Sequence, residues 1–492
     1  MSKSSSGFAS NVLKLMSGRA LSFGLGVLLT PIITRLFAPE AFGALALFTS
    51  IAGMIGQLAC LRYERAIMLP GENTEAVNLL GVSLCCVLLV SIVSALFMLI
   101  AADSIAGLQG WAGLKRYVWL VPISVLFNGG FLALTYWNSR TKHFGRLAIT
   151  GVVSSATTQV TRVGAGLAGC VTGGILIGTY VLADIVSFAV LGVRIWQNDG
   201  RLIRANVGWK NMVTGMKRYK KFPMYSIWAG LLNNVAGQLP VWLLAFYFSP
   251  AVVGFFALGR RVLTTPLTMV GRAIGPVFFQ RAADAQNRTG DLSILVGEVF
   301  KRLVSIGIFP CLMLMLIGKE VFVVVFGAQW VDAGVYVQIL ALWIFFQFIS
   351  SPLSNLISVL ERQGFGVLFN ILLLTTRAGS LIVGGATGNI HLTLVLFAST
   401  GVACYGFLCI WLLQKVGVPL VTFSLEILRY LAYACFFLIV IALVKWTSGL
   451  HSLGTLVVAC TCVISYYFLI VRRDDELRKP VYALFERFGF IK

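Results

Sequence analysis

Six arginines sit inside stretches of chain that are otherwise apolar: Arg19, Arg162, Arg260, Arg261, Arg272 and Arg377. A guanidinium keeps its charge at any relevant pH and grips a phosphate with two parallel N–H donors. In an apolar environment such a charge is costly, so it faces a partner or a wet cavity. The one acid well inside an apolar stretch is Asp184. Polar residues recur beside these charges at helical spacing: Ser154, Thr158 and Arg162; Arg261, Thr265, Thr268 and Arg272; Arg19, Ser22, Gly26 and Thr30; Gln347, Ser351 and Asn355. Each set falls along one side of a helix. Together with Trp228, Asn233, Asn234, Gln238 and Trp242, they read as the wall of a cavity that takes an anion through arginine and sugars through hydroxyl, amide and aromatic groups. Alternatives stay open. Arg19 and Arg272 could snorkel to a helix end. Arg162 and Asp184 could pair, or Asp184 could couple to protons. The amides could join helices. Arg260 and Arg261 point about 100° apart, so one of them faces the cavity.

Helices must carry these residues, and composition says which kind. Of 492 residues 58% are hydrophobic and 12% charged, with a mean hydropathy of +0.89. A soluble domain is about half apolar and a quarter charged, and disorder needs low hydrophobicity. Both classes are excluded, leaving a polytopic membrane protein. A spanning helix takes about 20 apolar residues. About fourteen windows qualify, at 11–33, 42–61, 77–101, 117–137, 147–170, 173–193, 222–248, 252–278, 295–317, 334–357, 365–383, 390–413, 423–444 and 453–471. Their apolar runs are continuous, unlike the alternating strands of a barrel. The expected fold is all-α.

The formal charge of +21 lies mostly between spans. Arg194, Arg201, Arg204, Lys210, Lys217, Arg218, Lys220 and Lys221 fall between the sixth and seventh windows and mark that segment as cytoplasmic. Six spans precede it, so both termini are expected in the cytoplasm. The expected organisation is an amino-terminal lobe over 1–200, a basic linker over 201–221, a second lobe over 222–414, two further spans over 415–471 and a tail over 472–492. Anionic lipid suits the basic loops. Nucleic acid does not, because no soluble module presents the charge. The ten cysteines lie in apolar runs without metal-ligand spacing, so neither a disulfide framework nor a metal or cofactor is expected.

Leu36-Phe37-Ala38-Pro39-Glu40-Ala41-Phe42-Gly43 follows the first window, and Tyr247-Phe248-Ser249-Pro250-Ala251-Val252-Val253-Gly254 follows the seventh. Phe37/Phe248, Pro39/Pro250, Gly43/Gly254, Ala46/Ala257 and Leu47/Leu258 match at one constant offset. Six spans separate the two corners, so the halves share one orientation, the arrangement of parallel repeats around a central cavity. No phosphate-binding Gly-rich loop, zinc-protease motif or nucleophile elbow occurs, and no acid pair lies in a window, which favours transport over catalysis.

Fourteen windows, the parallel repeat, the first corner and the string Arg62-Tyr63-Glu64-Arg65-Ala66-Ile67-Met68-Leu69-Pro70 resemble the Wzx-type oligosaccharide flippases of the multidrug/oligosaccharidyl-lipid/polysaccharide (MOP) exporter superfamily. The resemblance implies two MATE-like six-helix repeats plus two carboxy-terminal helices in a bacterial inner membrane. It implies movement of an undecaprenyl-diphosphate-linked glycan, a repeat unit of O-antigen, capsule or exopolysaccharide, by alternating access. Arg19, Arg162, Arg260, Arg261, Arg377, Asn234 and Gln238 would line the path, with Arg62, Tyr63, Glu64, Arg65 and Arg272 at its cytoplasmic mouth and Asp184 as a coupling acid. Partners implied are the bilayer and polysaccharide polymerase and chain-length machinery. The peptidoglycan precursor lipid II is the alternative substrate. A multidrug antiporter of the same superfamily is a second alternative, and the acid that branch carries in its first helix is absent here.

Overall fold

The computed structural model describes residues 2–107, 111–288, 290–447 and 452–473, with side chains from Ser17 onward except at 102, 105, 106, 112, 228, 229, 232, 233, 272, 273, 420, 422, 423, 447 and 452. Helix follows helix with no strand among the described residues. In chain order they are α1 (Ser2–Leu36), α2 (Pro39–Leu58), α3 (Tyr63–Ala66), α4 (Asn73–Ala106), α5 (Leu120–Arg140), α6 (Phe144–Leu167), α7 (Gly173–Asn206), α8 (Trp209–Arg218), α9 (Ile227–Tyr247), α10 (Pro250–Arg288), α11 (Ser293–Phe326), α12 (Val331–Leu353), α13 (Leu356–Val359), α14 (Gln363–Ala386), α15 (Ile390–Lys415), α16 (Leu420–Thr447) and α17 (Ser452–Arg473). Only a helix satisfies every backbone group within one apolar segment, which is why these sequences take no other form.

Twelve helices among the described residues are long and apolar enough to cross a membrane. The fifth and seventh expected windows correspond to α6 and α9, which are of spanning length but not among the twelve. In α6 the apolar run is diluted by Ser154, Ser155, Thr157, Thr158, Gln159, Thr161 and Arg162.

The chain divides into two compact units, residues 1–257 and 258–492, and the division falls within α10. In the first unit α1 packs along α6, and α2 packs against α5, α7 and α9. The expected linker is largely helical. α7 runs through Arg201 and Arg204 to Asn206, and α8 follows with Met212 and Gly215 buried. Asn78 of α4 ties the α7–α8 junction down, donating to Asn206 O at 2.9 Å and accepting from Gly208 N at 2.9 Å. A π-helical turn, Phe222–Ser226, leads into α9.

In the second unit α11 is the hub, packing on α12, α16 and α17. Lipid tails are as apolar as leucine, so helices in a membrane associate through close packing and hydrogen bonds. Here Tyr466 stacks on Phe309 with ring centroids 4.5 Å apart and donates to Ser305 O at 2.9 Å, while Tyr467 donates to Ile306 O at 2.8 Å. Lys445 reaches Glu320 at 2.9 Å.

The two matched corners meet in space. A Cβ on Gly43 would overlap the carbonyl oxygen of Pro250, and a Cβ on Gly254 would overlap that of Pro39. The contact is reciprocal, each glycine receiving the proline of the other corner. Backbones approach this closely only where both helices lack side-chain bulk. Gly43→Ala or Gly254→Ala forces the corners apart, at a cost of about 1–3 kcal/mol for an overpacked contact. Both variants are expected to lower Tm in detergent, and the double variant to lower it by less than the sum.

Candidate functional site

A cavity of about 590 Å³ opens within the second unit. Such a volume suits a small-molecule ligand or one segment of a larger one. α10 supplies Arg260, Thr264 and Thr268; α12 and its continuation supply Gln347, Ser350, Ser351, Ser354 and Ser358. α14 contributes Gly366, Phe369 and Asn370, and α15 contributes Tyr405. On α10 and α12 these positions recur every three or four residues, so each of those helices turns one polar stripe to the cavity. No aspartate or glutamate is among the lining residues.

One guanidinium, that of Arg260, stands in the wall, and a second stands behind it. Arg377 donates to the Tyr405 hydroxyl at 2.9 Å, and Gln347 donates to the same hydroxyl at 3.4 Å. The Arg377 guanidinium lies 5.7 Å from the Trp343 ring centroid and 5.9 Å from that of Tyr405. Aromatic faces attract a cation at this range. Arg377 Nε and Trp343 Nε1 are buried with no hydrogen-bond partner among the described residues.

The expected residues divide. Arg260, Gln347 and Ser351 stand in the wall, with Arg377 one step behind. Of the consecutive pair, Arg260 faces the cavity and Arg261 the exposed side of α10. On α10 the wall takes Arg260 and Thr264, the neighbours of the expected Arg261 and Thr265, while Thr268 is as expected. Asn355 donates to Gly275 O at 3.5 Å. The side chains of Arg272, Trp228 and Asn233 lie outside the described residues. Thr264, Asn370 and Tyr405 were not anticipated. Arg260-x-x-x-Thr264 and the seven-residue step from Asn370 to Arg377 were readable signals of shared faces.

In the first unit the expected residues lie on α1, α6, α7 and α9. Arg19 is exposed on α1. Asn234 and Gln238 are half-buried on α9, and Trp242 donates to Ser50 Oγ at 2.8 Å. Arg162 does not pair with Asp184. It donates to Thr179 Oγ1 at 2.9 Å and Leu176 O at 3.4 Å, whereas Asp184 accepts from Ser124 at 2.6 Å and Asn128 at 3.2 Å. Hydroxyl and amide donors on α5 take the place of the expected cation.

The expected mouth is also different in kind. Arg62, Tyr63 and Glu64 are buried, and only Arg65 is exposed. Leu61 and Arg62 both have positive φ, 47° and 66°, folding the chain back sharply after α2. Non-glycine residues rarely adopt this backbone, and it persists only where the surroundings enforce it. The Arg62 guanidinium fills the space that a Cβ on Gly230 of α9 would need. Its Nη1 is 4.0 Å from Glu64 Oε1, and Tyr63 donates to Met216 O at 3.1 Å. Tyr63 therefore binds the corner to the linker and Arg62 packs it on α9, and all three side chains are buried. Burial raises the Glu64 carboxyl above its usual range, offset in part by its own backbone N–H and by Arg62 and Arg65.

The fold is similar to those of several solved membrane proteins. The lipid II flippase MurJ in an inward closed conformation superposes with a TM-score of 0.71 over 94% of this chain and 99% of that one, at 12% identity. An inward-facing multidrug-resistance MATE transporter of the MOP superfamily gives 0.62 over 79% and 93%, at 16% identity. A MOP-superfamily transporter from Pyrococcus furiosus gives 0.50 over 83% and 95%, at 14% identity. The protein is thus a multi-pass membrane protein with the fold of the MOP superfamily. Residues 32–335 match the family of polysaccharide biosynthesis proteins, and the chain belongs to that family. No curated protein matches it.

The corner yields a pH prediction. A carboxyl whose value is raised on folding binds its proton more tightly in the native state, so stability falls as pH rises from the ordinary carboxylate range through the raised value. Thermal melts in detergent across that window should show wild-type Tm falling relative to Glu64→Gln, with parallel curves on either side.

Proposed function

We propose that the protein is a flippase that carries an undecaprenyl-diphosphate-linked oligosaccharide from the cytoplasmic to the periplasmic leaflet of a bacterial inner membrane. The observation that carries this reading is the cavity of the second unit, where Arg260 stands among Ser, Thr, Asn, Gln and aromatic side chains with no carboxylate in the wall. Guanidinium suits the diphosphate, and hydroxyls, amides and ring faces suit sugars. A cationic drug would meet a charge of its own sign there, which disfavours multidrug export. Family membership supports a place in polysaccharide assembly, where the repeat unit would be O-antigen, capsule or exopolysaccharide.

In this reading Arg260 receives a phosphate oxygen at the cavity wall, and Arg377 adds positive potential while fixing the Tyr405 hydroxyl. In a low-dielectric wall such charges act more strongly on an anion than they would in water. The serine and threonine stripes of α12 and α10 exchange hydrogen bonds with successive hydroxyls, so a glycan can shift along them without leaving a group unsatisfied. Arg19, Arg162, Arg261, Asn234 and Gln238 belong to the remainder of the path, and Arg65 and Arg272 to its cytoplasmic side. The lobes rock between inward-open and outward-open forms. Both termini lie in the cytoplasm, and polymerase and chain-length proteins take the product on the periplasmic side. The protein moves its substrate without changing it chemically.

The test is complementation of a strain lacking its own flippase. Arg260→Ala, which loses a charged hydrogen bond to a phosphate, and Arg377→Ala, which loses a buried charge and its hold on Tyr405, should each reduce surface polysaccharide by about tenfold or more. Immunoblots should show membrane levels of both variants equal to wild type. Arg377→Lys should not restore export, because an ammonium cannot reproduce the planar contact with Trp343 and Tyr405. Normal polysaccharide from both alanine variants would sink the proposal.

A further inference from the structure

Outside the cavity, α11, α16 and α17 bring a cluster of cations together at one end of the second unit. Tyr433 of α16 presents one hydroxyl to two guanidiniums. Arg429, one turn back on the same helix, donates to it through Nε at 3.3 Å. Arg473, in the last turn of α17, donates to it through Nη1 and lies over the ring, 4.8 Å from the centroid. One turn farther along α16, Glu426 Oε1 stands 3.9 Å from Arg429 Nη1 and 3.7 Å from Lys301 Nζ of α11. The other carboxylate oxygen, Oε2, is buried with no hydrogen-bond partner among the described residues. The three helices are held in register by Tyr466 and Tyr467 of α17, which donate to the Ser305 and Ile306 carbonyls, about one turn from Lys301 on α11.

Three cations thus share one carboxylate. A hydroxyl carries no net charge, so it cannot offset the repulsion between two guanidiniums gathered on it. Arg429 and Arg473 are both exposed, and beyond Tyr433 and Glu426 neither has an acceptor among the described residues. Asp474, Asp475 and Glu476 follow in the sequence, outside the described residues, and are flanked by Arg472, Arg478 and Lys479. Depth decides what can reach the open donors. The spanning part of α16 begins at Ser424 and that of α17 ends at Arg473, so these charges sit where hydrocarbon gives way to headgroups. The abundant anion at that depth is a lipid phosphodiester, and basic pockets between spanning helices bind such headgroups. Guanidinium grips phosphate with paired N–H donors. Beside that grip, Glu426 Oε2 is an acceptor in need of a donor. Arg429 bridges the two places, its Nε on Tyr433 and its Nη1 toward Glu426, so a phosphate and a hydroxyl a few bonds away can be met together. A glycerol headgroup has that hydroxyl. A choline headgroup has no donor, and an ethanolamine ammonium would add a fourth cation.

We propose that this end of α11, α16 and α17 binds an anionic glycerophospholipid of the phosphatidylglycerol type, its phosphodiester held by Arg429 and Arg473 and its headgroup hydroxyl donated to Glu426. The site stands apart from the cavity and does not depend on what the protein carries.

The experiment uses the full-length protein, stripped of lipid in a neutral detergent. Dioleoyl phosphatidylglycerol, phosphatidylmethanol and phosphatidylcholine are titrated in turn, and bound lipid is counted by native mass spectrometry. The tightest site should take phosphatidylglycerol first, phosphatidylmethanol less well, because it has the charge without the hydroxyl, and phosphatidylcholine least. Arg429→Gln/Arg473→Gln should weaken phosphatidylglycerol at that site by about tenfold or more, with Tm in neutral detergent unchanged. Tyr433→Phe, which keeps the ring and removes only the hydroxyl that gathers the guanidiniums, should weaken it by about threefold and serves if the double variant loses its fold. Glu426→Ala should abolish the preference for phosphatidylglycerol over phosphatidylmethanol. Binding that the arginine and tyrosine variants leave unchanged, or that phosphatidylcholine matches, overturns the site. A preference that survives Glu426→Ala overturns the hydroxyl contact. Displacement of bound phosphatidylglycerol by equimolar geranylgeranyl diphosphate overturns the phospholipid assignment, because the site would then serve a polyprenyl carrier.

Discussion

A guanidinium inside an apolar helix bundle has to be solvated by groups that the bundle itself supplies. That requirement organises both units. Around Arg377 the supply is a tyrosine hydroxyl and two ring faces; around Arg162 it is a threonine hydroxyl and a backbone carbonyl. The groups around Arg377 include no carboxylate. A neutral cage leaves its charge unneutralised, so its field extends to whatever enters the cavity. An ion pair in the same place would have been stable and blind to an anion. Asp184 shows the mirror case, an acid held by Ser124 and Asn128 instead of by a cation.

The same economy explains how the second unit holds together. Lipid offers no hydrophobic drive toward association, so α17 is fixed to α11 by ring stacking and by tyrosine hydroxyls that reach backbone carbonyls of α11. Six of the ten cysteines are buried as small packing residues, and none is bonded to another. Polar side chains in this protein thus have two separate duties. Some join helices, as Trp242 does with Ser50, and others are left facing a space, as Ser351 and Thr268 are.

Much of this was legible in the sequence. Continuous apolar runs fixed the long helices, because a spanning segment has one way to satisfy its backbone. The repeated corner was readable as a pattern, though its reciprocal glycine contact was not, since spacing alone carries no information about crossing distance. In the cavity, Arg260, Gln347 and Ser351 could be placed from helical periodicity. Tyr405 could not, because a single tyrosine in an apolar helix carries no phase of its own. On α10 Thr268 was readable but Arg260 and Thr264 were not separable from Arg261 and Thr265, since the consecutive arginines offer equal starting points and only packing chooses between them. Arg62, Tyr63 and Glu64 look solvent-facing by residue type. Their burial follows from the left-handed turn at Leu61 and Arg62, which no local propensity announces.

That turn has a consequence for which residues the corner can accept. Backbone geometry at position 62 favours glycine, and only the side chain argues for arginine. A glycine there would relax the bend and leave a void opposite Gly230, while any larger residue at 230 would evict the guanidinium. The two positions are locked as a long residue facing a bare one. Exchanging them would not be equivalent, because the tight bend exists on one partner only. The corner is therefore a keyed joint with a single permitted assembly, and mutational drift at either position is confined by the other.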